Sequence, residues 1–380
     1  MYIYIYIFVL SLLGILFPSF FQIKLHRNIV LVLLGIFLCT GYMTGSDWRQ
    51  YEELYMNAQS LSILNEVNKE KGFPLFFVAC NKLGLSFWPV WIGIKFVCYY
   101  IMIKMLLRYT TKYSFLWGIL IFYAYFSLFY FIDNPMRNLM AATVYLFAYD
   151  SLISRKRNLY IIIVLLGSLL HASILFFLPV YFIYNEKRFL KNKTLIISLV
   201  YFYVVMVVFW YSNIREVVEQ FLITVEGEDF RGQRYLQQEG SLISVGFITM
   251  CSFFSLILYN RDVIKECSKN PNFLLLFSYI YIITYIMGFF IPILSRLSMF
   301  CFIPFISAFC IAMQGFKGVL RRILNIAVIV FMFATLTKNI TRDYRYVPYS
   351  SYIEYIGIEK PSYMERVYYN MVHTPYKDYE

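Results

Sequence analysis

The sequence predicts an all-α, polytopic integral membrane protein, and three observations carry that reading. The 380-residue chain is 60% hydrophobic and only 15% charged, against roughly 45–50% apolar and about 25% charged residues in an ordinary soluble domain. Its mean hydropathy is +0.62. Its 34 Lys and Arg residues fall in short clusters between apolar runs, which argues against a disordered or nucleic-acid-binding chain with one basic surface. At about 20 apolar residues per crossing, this composition supplies roughly ten to twelve spanning helices and leaves little chain for a soluble domain.

The first apolar run, Tyr2 to Phe21, has no basic residue before it, and the first positive charges are Lys24 and Arg27. It therefore reads as a retained helix that starts outside, not as a cleaved signal. Further spans are expected at Asn28 to Thr44, Val90 to Leu107, Phe115 to Ile132, Leu139 to Ile153, Leu195 to Tyr211, Leu242 to Asn260, Phe273 to Ile291, Leu297 to Gln314 and Ile323 to Leu336, each apolar over most of its length. Two regions do not suit a straight crossing. Phe73 to Trp88 is short and holds Asn81, Lys82 and Gly84, as a re-entrant or half helix would. Leu159 to Tyr184 is long and interrupted by His171, which predicts two short helices meeting there, because irregular backbone survives at membrane depth only where protein or water satisfies it. Residues 1–340 are expected to form a single membrane domain and 341–380 an outer-face tail, whose Tyr-rich start suits a membrane interface.

Basic clusters at Lys24/Arg27, Lys104/Arg108/Lys112, Arg155/Lys156/Arg157, Lys187/Arg188/Lys191/Lys193, Arg261/Lys265/Lys269 and Lys317/Arg321/Arg322 hold more than half of the 34 basic residues. The positive-inside rule makes these loops cytoplasmic. The formal net charge of +12 is thus a signal of topology, and the opposite face is left nearly neutral, with its acids and arginines mixed. The seven cysteines show no CxxC or Cys/His metal spacing, so neither a metal site nor a disulfide framework is expected.

The residues able to carry chemistry gather in the loops of that second face. In GSDWRQYEE, Asp47 and Arg49 flank Trp48 at a span end; a carboxylate there can act as a general base and a guanidinium can bind phosphate through its planar fork. Glu52 and Glu53, which follow, suit a solvated acidic loop equally well. Glu70 closes the same loop. In DNPMRNLMAA, Pro135 suits a first helical turn, so Arg137 is expected at the positive end of the next helix, where an anion finds both charges. His171 in SLLHAS lies between apolar sequences at an expected helix break, a position that lines a cavity more often than it packs a core; its imidazole can relay a proton or bind a phosphate oxygen. Arg231, Arg234 and Tyr235 in RGQRY follow an acidic run, and the two arginines share one face if that stretch is helical. Arg296 in LSRLS has no acid near it in sequence.

Taken in order, GSDWRQY at Gly45 to Tyr51, EKGFPLF at Glu70 to Phe76, the Arg137 turn with its small-residue helix, HAS at His171 to Ser173, RGQRY at Arg231 to Tyr235, SRL at Ser295 to Leu297 and VPYS at Val347 to Ser350 resemble the Wzy-type polysaccharide polymerases, in particular the EpsG-like family of exopolysaccharide and O-antigen repeat-unit polymerases. The resemblance implies a membrane glycosyltransferase of GT-C-like architecture in the bacterial inner (cytoplasmic) membrane, with its active site facing outward. It also implies lipid-linked substrates, undecaprenyl-diphosphate-linked oligosaccharides polymerised into surface polysaccharide without a metal or other cofactor. A flippase and a chain-length regulator would be its partners besides the bilayer. On that reading Asp47 or Glu70 is the base, Arg49, Arg137, Arg231, Arg234, Tyr235 and Arg296 bind sugar or diphosphate, and His171 relays a proton or binds phosphate. A transporter of lipid-linked saccharides, a membrane acyltransferase and a non-enzymatic subunit of a secretion complex are the other readings of the same residues.

Overall fold

The computed structural model describes residues 2–17, 24–63, 70–111, 114–133, 135–185, 191–211, 244–342 and 345–373. Among them the ordered elements are helical: α1 (Tyr2–Leu16), α2 (Lys24–Cys39), α3 (Trp48–Asn57), α4 (Gly72–Lys82), α5 (Phe87–Tyr109), α6 (Ser114–Ile121) running on into a π-helix (Phe122–Asp133), α7 (Met136–Ile153), α8 (Arg157–Ser168), a 3-10 helix (Ala172–Phe177), α9 (Val180–Ile183) and α10 (Asn192–Tyr211). They continue with α11 (Val245–Tyr259), α12 (Arg261–Cys267), α13 (Pro271–Phe290), a 3-10 helix (Pro292–Phe300), α14 (Phe302–Ala312), α15 (Gly318–Arg342) and α16 (Tyr363–His373). Five helices are long and apolar enough to cross a membrane, and seven if each of two bent pairs forms one span. Four shorter apolar helices accompany them among the described residues. The chain is an all-α, multi-pass membrane protein.

The expected interruptions at Phe73 to Trp88 and at His171 are present. Helix α4 ends at Lys82, and a turn through Gly84 at φ +71° leads into α5. His171 has extended backbone between α8 and the first 3-10 helix. Where a straight span was expected from Leu297 to Gln314, the chain instead bends by 62° between residues 294–300 and 302–315. Ser295, Arg296 and Ser298 lie before the bend, whereas α14 is apolar apart from Ser307; the expected span begins at Leu297 and so runs across the break.

Burial sorts the helices into centre and rim. Every residue of α14 is buried, and α14 packs on α13, α6 and α5. By contrast α10 and α15 bury only 11% and 17% of their apolar windows, as lipid-facing helices do. The irregular segments at membrane depth have their carbonyls satisfied from the core: Tyr160 donates to the Phe177 carbonyl at 2.6 Å, Tyr149 to that of Phe300 at 2.6 Å, and Asn138 to that of Arg296 at 3.1 Å. An unpaired carbonyl there would be costly, so these three side chains are what permit the breaks.

Helices α5 and α7 run side by side. At the end of the pair that carries the basic clusters, Arg108 and Asp150 pair at 2.6 Å. Their other ends carry the motifs Gly45 to Tyr51, Glu70 to Phe76 and Arg137. Two glycines make the close approach possible. Gly45 has φ +78°, and a Cβ on it would lie 2.1 Å from the Ile132 carbonyl oxygen; a Cβ on Gly72 would lie 2.8 Å from that of Leu169, to whose oxygen the Gly72 N–H also bonds at 2.9 Å. Replacing Gly45 by Ala is expected to cost more than about 1 kcal/mol of stability, read as a lower melting temperature in detergent, and Gly72→Ala is expected to lower it as well.

The chain after α15 does not hang free. Tyr42 N–H donates to the Ser350 carbonyl at 2.8 Å and Tyr352 N–H to that of Thr40 at 2.7 Å, an antiparallel bridge between Gly41 and Ser351. The Tyr4 hydroxyl donates to the Tyr346 carbonyl. VPYS is thus strapped to the segment that precedes Asp47.

Candidate functional site

Helix α3 buries Trp48, Tyr51, Glu52 and Tyr55, the i, i+3, i+4, i+7 stripe of an amphipathic helix. Tyr51 packs edge-on against Phe73 and tilted on Trp91, both at 5.2 Å between centroids. Beside it opens a cavity of about 520 Å³ lined by α3, the start of α4, Glu70 and Arg137.

Glu70 stands at the centre. Its backbone lies in the left-handed region, φ +60°, which disfavours a side chain with a Cβ. The carboxylate is held from three sides: Arg137 Nη1 donates to Oε2 at 2.7 Å, His171 Nδ1 lies 2.5 Å from Oε1, and the Ala172 N–H donates to Oε1 at 2.8 Å. Because a carboxylate accepts, the shared proton sits on Nδ1, which leaves Nε2 of His171 facing away from Glu70. Arg137 is in turn tied to the Tyr51 hydroxyl through Nε at 3.3 Å. Burial alone would raise the Glu70 pKa, but the hydrogen bond and charge of His171, the Ala172 N–H and Arg137 outweigh it and hold the group below its usual value. The folded value lies below the unfolded one, so this stabilisation is fully present above the ordinary glutamate range and is lost as pH falls through the folded value. Glu70→Gln is accordingly expected to lower stability near neutral pH by on the order of 2 kcal/mol, with the gap from wild type closing in acid; melting curves across pH check this.

Asp47 precedes α3 and feels the charges of three guanidinium groups, those of Arg296, Arg137 and Arg345, while accepting from Ser46 at 3.1 Å. Burial dominates these contacts and raises its pKa above the usual aspartate value. Ser46 also reaches Asp133 at 3.1 Å, and Asp133 pairs with Arg345 at 2.6 Å. Asn138, next to Arg137, accepts from Ser173 at 3.2 Å and ties α7 to both broken segments.

The structure therefore brings together Asp47, Glu70, Arg137, His171 and Arg296 from five separate stretches of chain. It does not bring Arg49 into that group: Arg49 is felt by Tyr363 of α16, on the other side of α3. Glu53 lines the cavity, whereas Glu52, for which a solvated loop and a role in the site were equal readings, is buried and paired with Arg366. Arg231, Arg234 and Tyr235 lie outside the described residues. Tyr51, Asn138, Ser46, Asp133 and Arg345 complete the cluster. Tyr51 and Asn138 are sequence neighbours of the arginine-bearing motifs, the only signal that points to them; Arg345 acts on Asp133 across most of the chain and has no local signature. Among the described residues no group of three or more His, Cys, Asp or Glu side chains is placed to hold a metal ion.

A multi-pass helical membrane protein with a cluster of carboxylates, arginines and a histidine at one end of its bundle is the class that fold and site define. The chain belongs to the EpsG family, whose model matches residues 24–351. That membership suggests a membrane protein of the polysaccharide-polymerase type. No curated protein and no solved structure matches the chain.

Proposed function

We propose that the protein is a glycosyltransferase that polymerises undecaprenyl-diphosphate-linked oligosaccharide repeat units into surface polysaccharide on the outer face of the bacterial inner membrane. The observation that carries this reading is the combination of EpsG family membership with a pinned Glu70–Arg137–His171 triad beside an open cavity. The basic clusters at the far ends of α5 and α7 support the outward orientation of that cavity.

In the proposed step, an acceptor hydroxyl on the incoming repeat unit attacks the anomeric carbon of the growing chain. A new glycosidic C–O bond forms, the bond from that carbon to the lipid diphosphate breaks with its electron pair leaving on the diphosphate, and the hydroxyl proton passes to the base. Asp47 suits the base better than Glu70: among the described residues a single carboxylate oxygen of Asp47 is bonded, by Ser46, whereas both oxygens of Glu70 are occupied. Its raised proton affinity also moves it toward the working pH of a general base. Glu70 then serves to orient its two partners. Arg137, Arg296 and, in its doubly protonated imidazolium form, His171 through Nε2 gather the charge that develops on the departing diphosphate, as preorganised donors do.

The test is reconstitution of the purified protein in liposomes with a single lipid-linked repeat unit. A ladder of longer glycans with matching release of undecaprenyl diphosphate is expected. Transbilayer movement of the substrate without extension would favour a transporter, and an acylated but unextended product an acyltransferase; either would overturn the proposal.

A further inference from the structure

The helix α16 lies beyond the region matched by the family, which ends at residue 351, yet it sends a buried guanidinium into the wall of the site. Arg366 Nη2 pairs with Glu52 Oε1 at 2.5 Å, and both side chains are nearly inaccessible. The same Glu52 oxygen accepts from Trp88 Nε1 at 3.2 Å, and Arg366 Nη1 donates to the Pro361 carbonyl at 2.6 Å. The guanidinium is ringed by Tyr42, Trp48, Trp88 and Tyr363, each centroid within 6.0 Å. One turn on, at the i+4 position, Asn370 donates to the Met43 carbonyl at 3.0 Å. The helix start is closed by a reciprocal pair: the Ser362 N–H donates to Glu365 at 2.7 Å and the Glu365 N–H to Ser362 at 3.3 Å, a capping box. A capped helix thus presents Arg366 and Asn370 on one face to the segment that carries Asp47.

Glu52 is the residue after Tyr51, and Tyr51 holds Arg137. We propose that Arg366 is a positioning residue: by anchoring Glu52 it fixes the rotation of α3, and so the Tyr51 hydroxyl that aims Arg137 at the cavity. A bidentate fork fits this role where an ammonium does not, since it engages Glu52 and the Pro361 carbonyl at once. The functional part of this proposal rests on the polymerase reading; the positional part does not.

Two measurements separate them, both on the full-length protein in membranes. The first is the rate at which phenylglyoxal modifies Arg137, mapped by mass spectrometry. Loosening Tyr51 is expected to speed this modification by about fivefold or more in Arg366→Met, and equally in the charge-neutral pair Arg366→Met with Glu52→Gln, which leaves no unpaired buried ion and so guards against simple misfolding. The second is chain extension: a loss of kcat of about 100-fold, the scale of a misplaced reacting group, with KM held within about twofold and partial recovery in Arg366→Lys. Unchanged Arg137 modification in a folded variant overturns the positioning role whatever the reaction is. Faster modification in a protein whose wild type extends no glycan keeps the positioning role and refutes the polymerase reading alone. Parallel loss of folded protein and activity, with Arg137 reactivity per folded molecule unchanged, also overturns the proposal.

Discussion

Arg137→Ala is expected to reach the membrane at wild-type level and to lose chain extension by at least about 100-fold, the effect of removing one preorganised donor to a developing anion. Two consequences combine in it. On the proposed reading the guanidinium that meets the diphosphate is gone, and Glu70 loses its partner at 2.7 Å, so the carboxylate that orients His171 is held through Oε1 alone. Lysine restores the charge but cannot reach Tyr51 and Glu70 together, so Arg137→Lys should recover only part of the rate. Gel analysis of lipid-linked glycans reads both variants directly: single repeat units accumulate, and long polymer from Arg137→Ala would remove arginine from the reaction.

The second large effect falls on the two carboxylates, and it differs between them. Asp47→Asn should lose extension by about 100-fold or more, because an amide cannot take the acceptor proton. On the proposed reading the wild-type rate depends on the ionised fraction of Asp47, whose pKa burial raises. The rate should therefore fall with decreasing pH at values above those at which an ordinary aspartate titrates, and that acid limb should be absent from the residual rate of Asp47→Asn. Glu70→Gln keeps an acceptor for one donor and should lose less, with no displaced limb. Equal losses in both, or a pH profile unchanged in Asp47→Asn, would return the base to the other carboxylate.

Much of this site was legible before any coordinates. Asp47, Glu70, Arg137, His171 and Arg296 stand out because ionisable residues between long apolar runs are costly and need a reason, and the break at His171 follows from a histidine too deep for a straight span. What stayed hidden is long-range or composition-neutral. The π-helix ending at Asp133 contains the same apolar residues as straight helix. The pairs Glu52–Arg366 and Asp133–Arg345 join residues hundreds of positions apart, so the sequence leaves Glu52 open between a solvated loop and the site. Arg49, two residues after Asp47 in sequence, acts on Tyr363 of α16 instead, as residues two apart on a helix are about 200° apart around its axis.

The tail illustrates the same limit. Its tyrosines fit a membrane interface by composition, yet Tyr349 donates to the Phe37 carbonyl at 2.6 Å and Tyr352 stacks near Trp88. The segment after α15 therefore contributes to the frame around Asp47, through both the Gly41–Ser351 bridge and Arg345.

The central claim is that the Glu70-centred cluster receives the diphosphate end of a lipid-linked glycan. Photo-cross-linking with a polyprenyl-diphosphate saccharide carrying a diazirine next to the diphosphate tests it most directly, with adducts mapped by mass spectrometry. Labels are expected on the cavity wall at Tyr51, Leu54, Phe73 and Pro74, and are expected to fall away in Arg137→Ala. Labels confined to the lipid-facing helices α10 and α15, equally strong in Arg137→Ala, would contradict it.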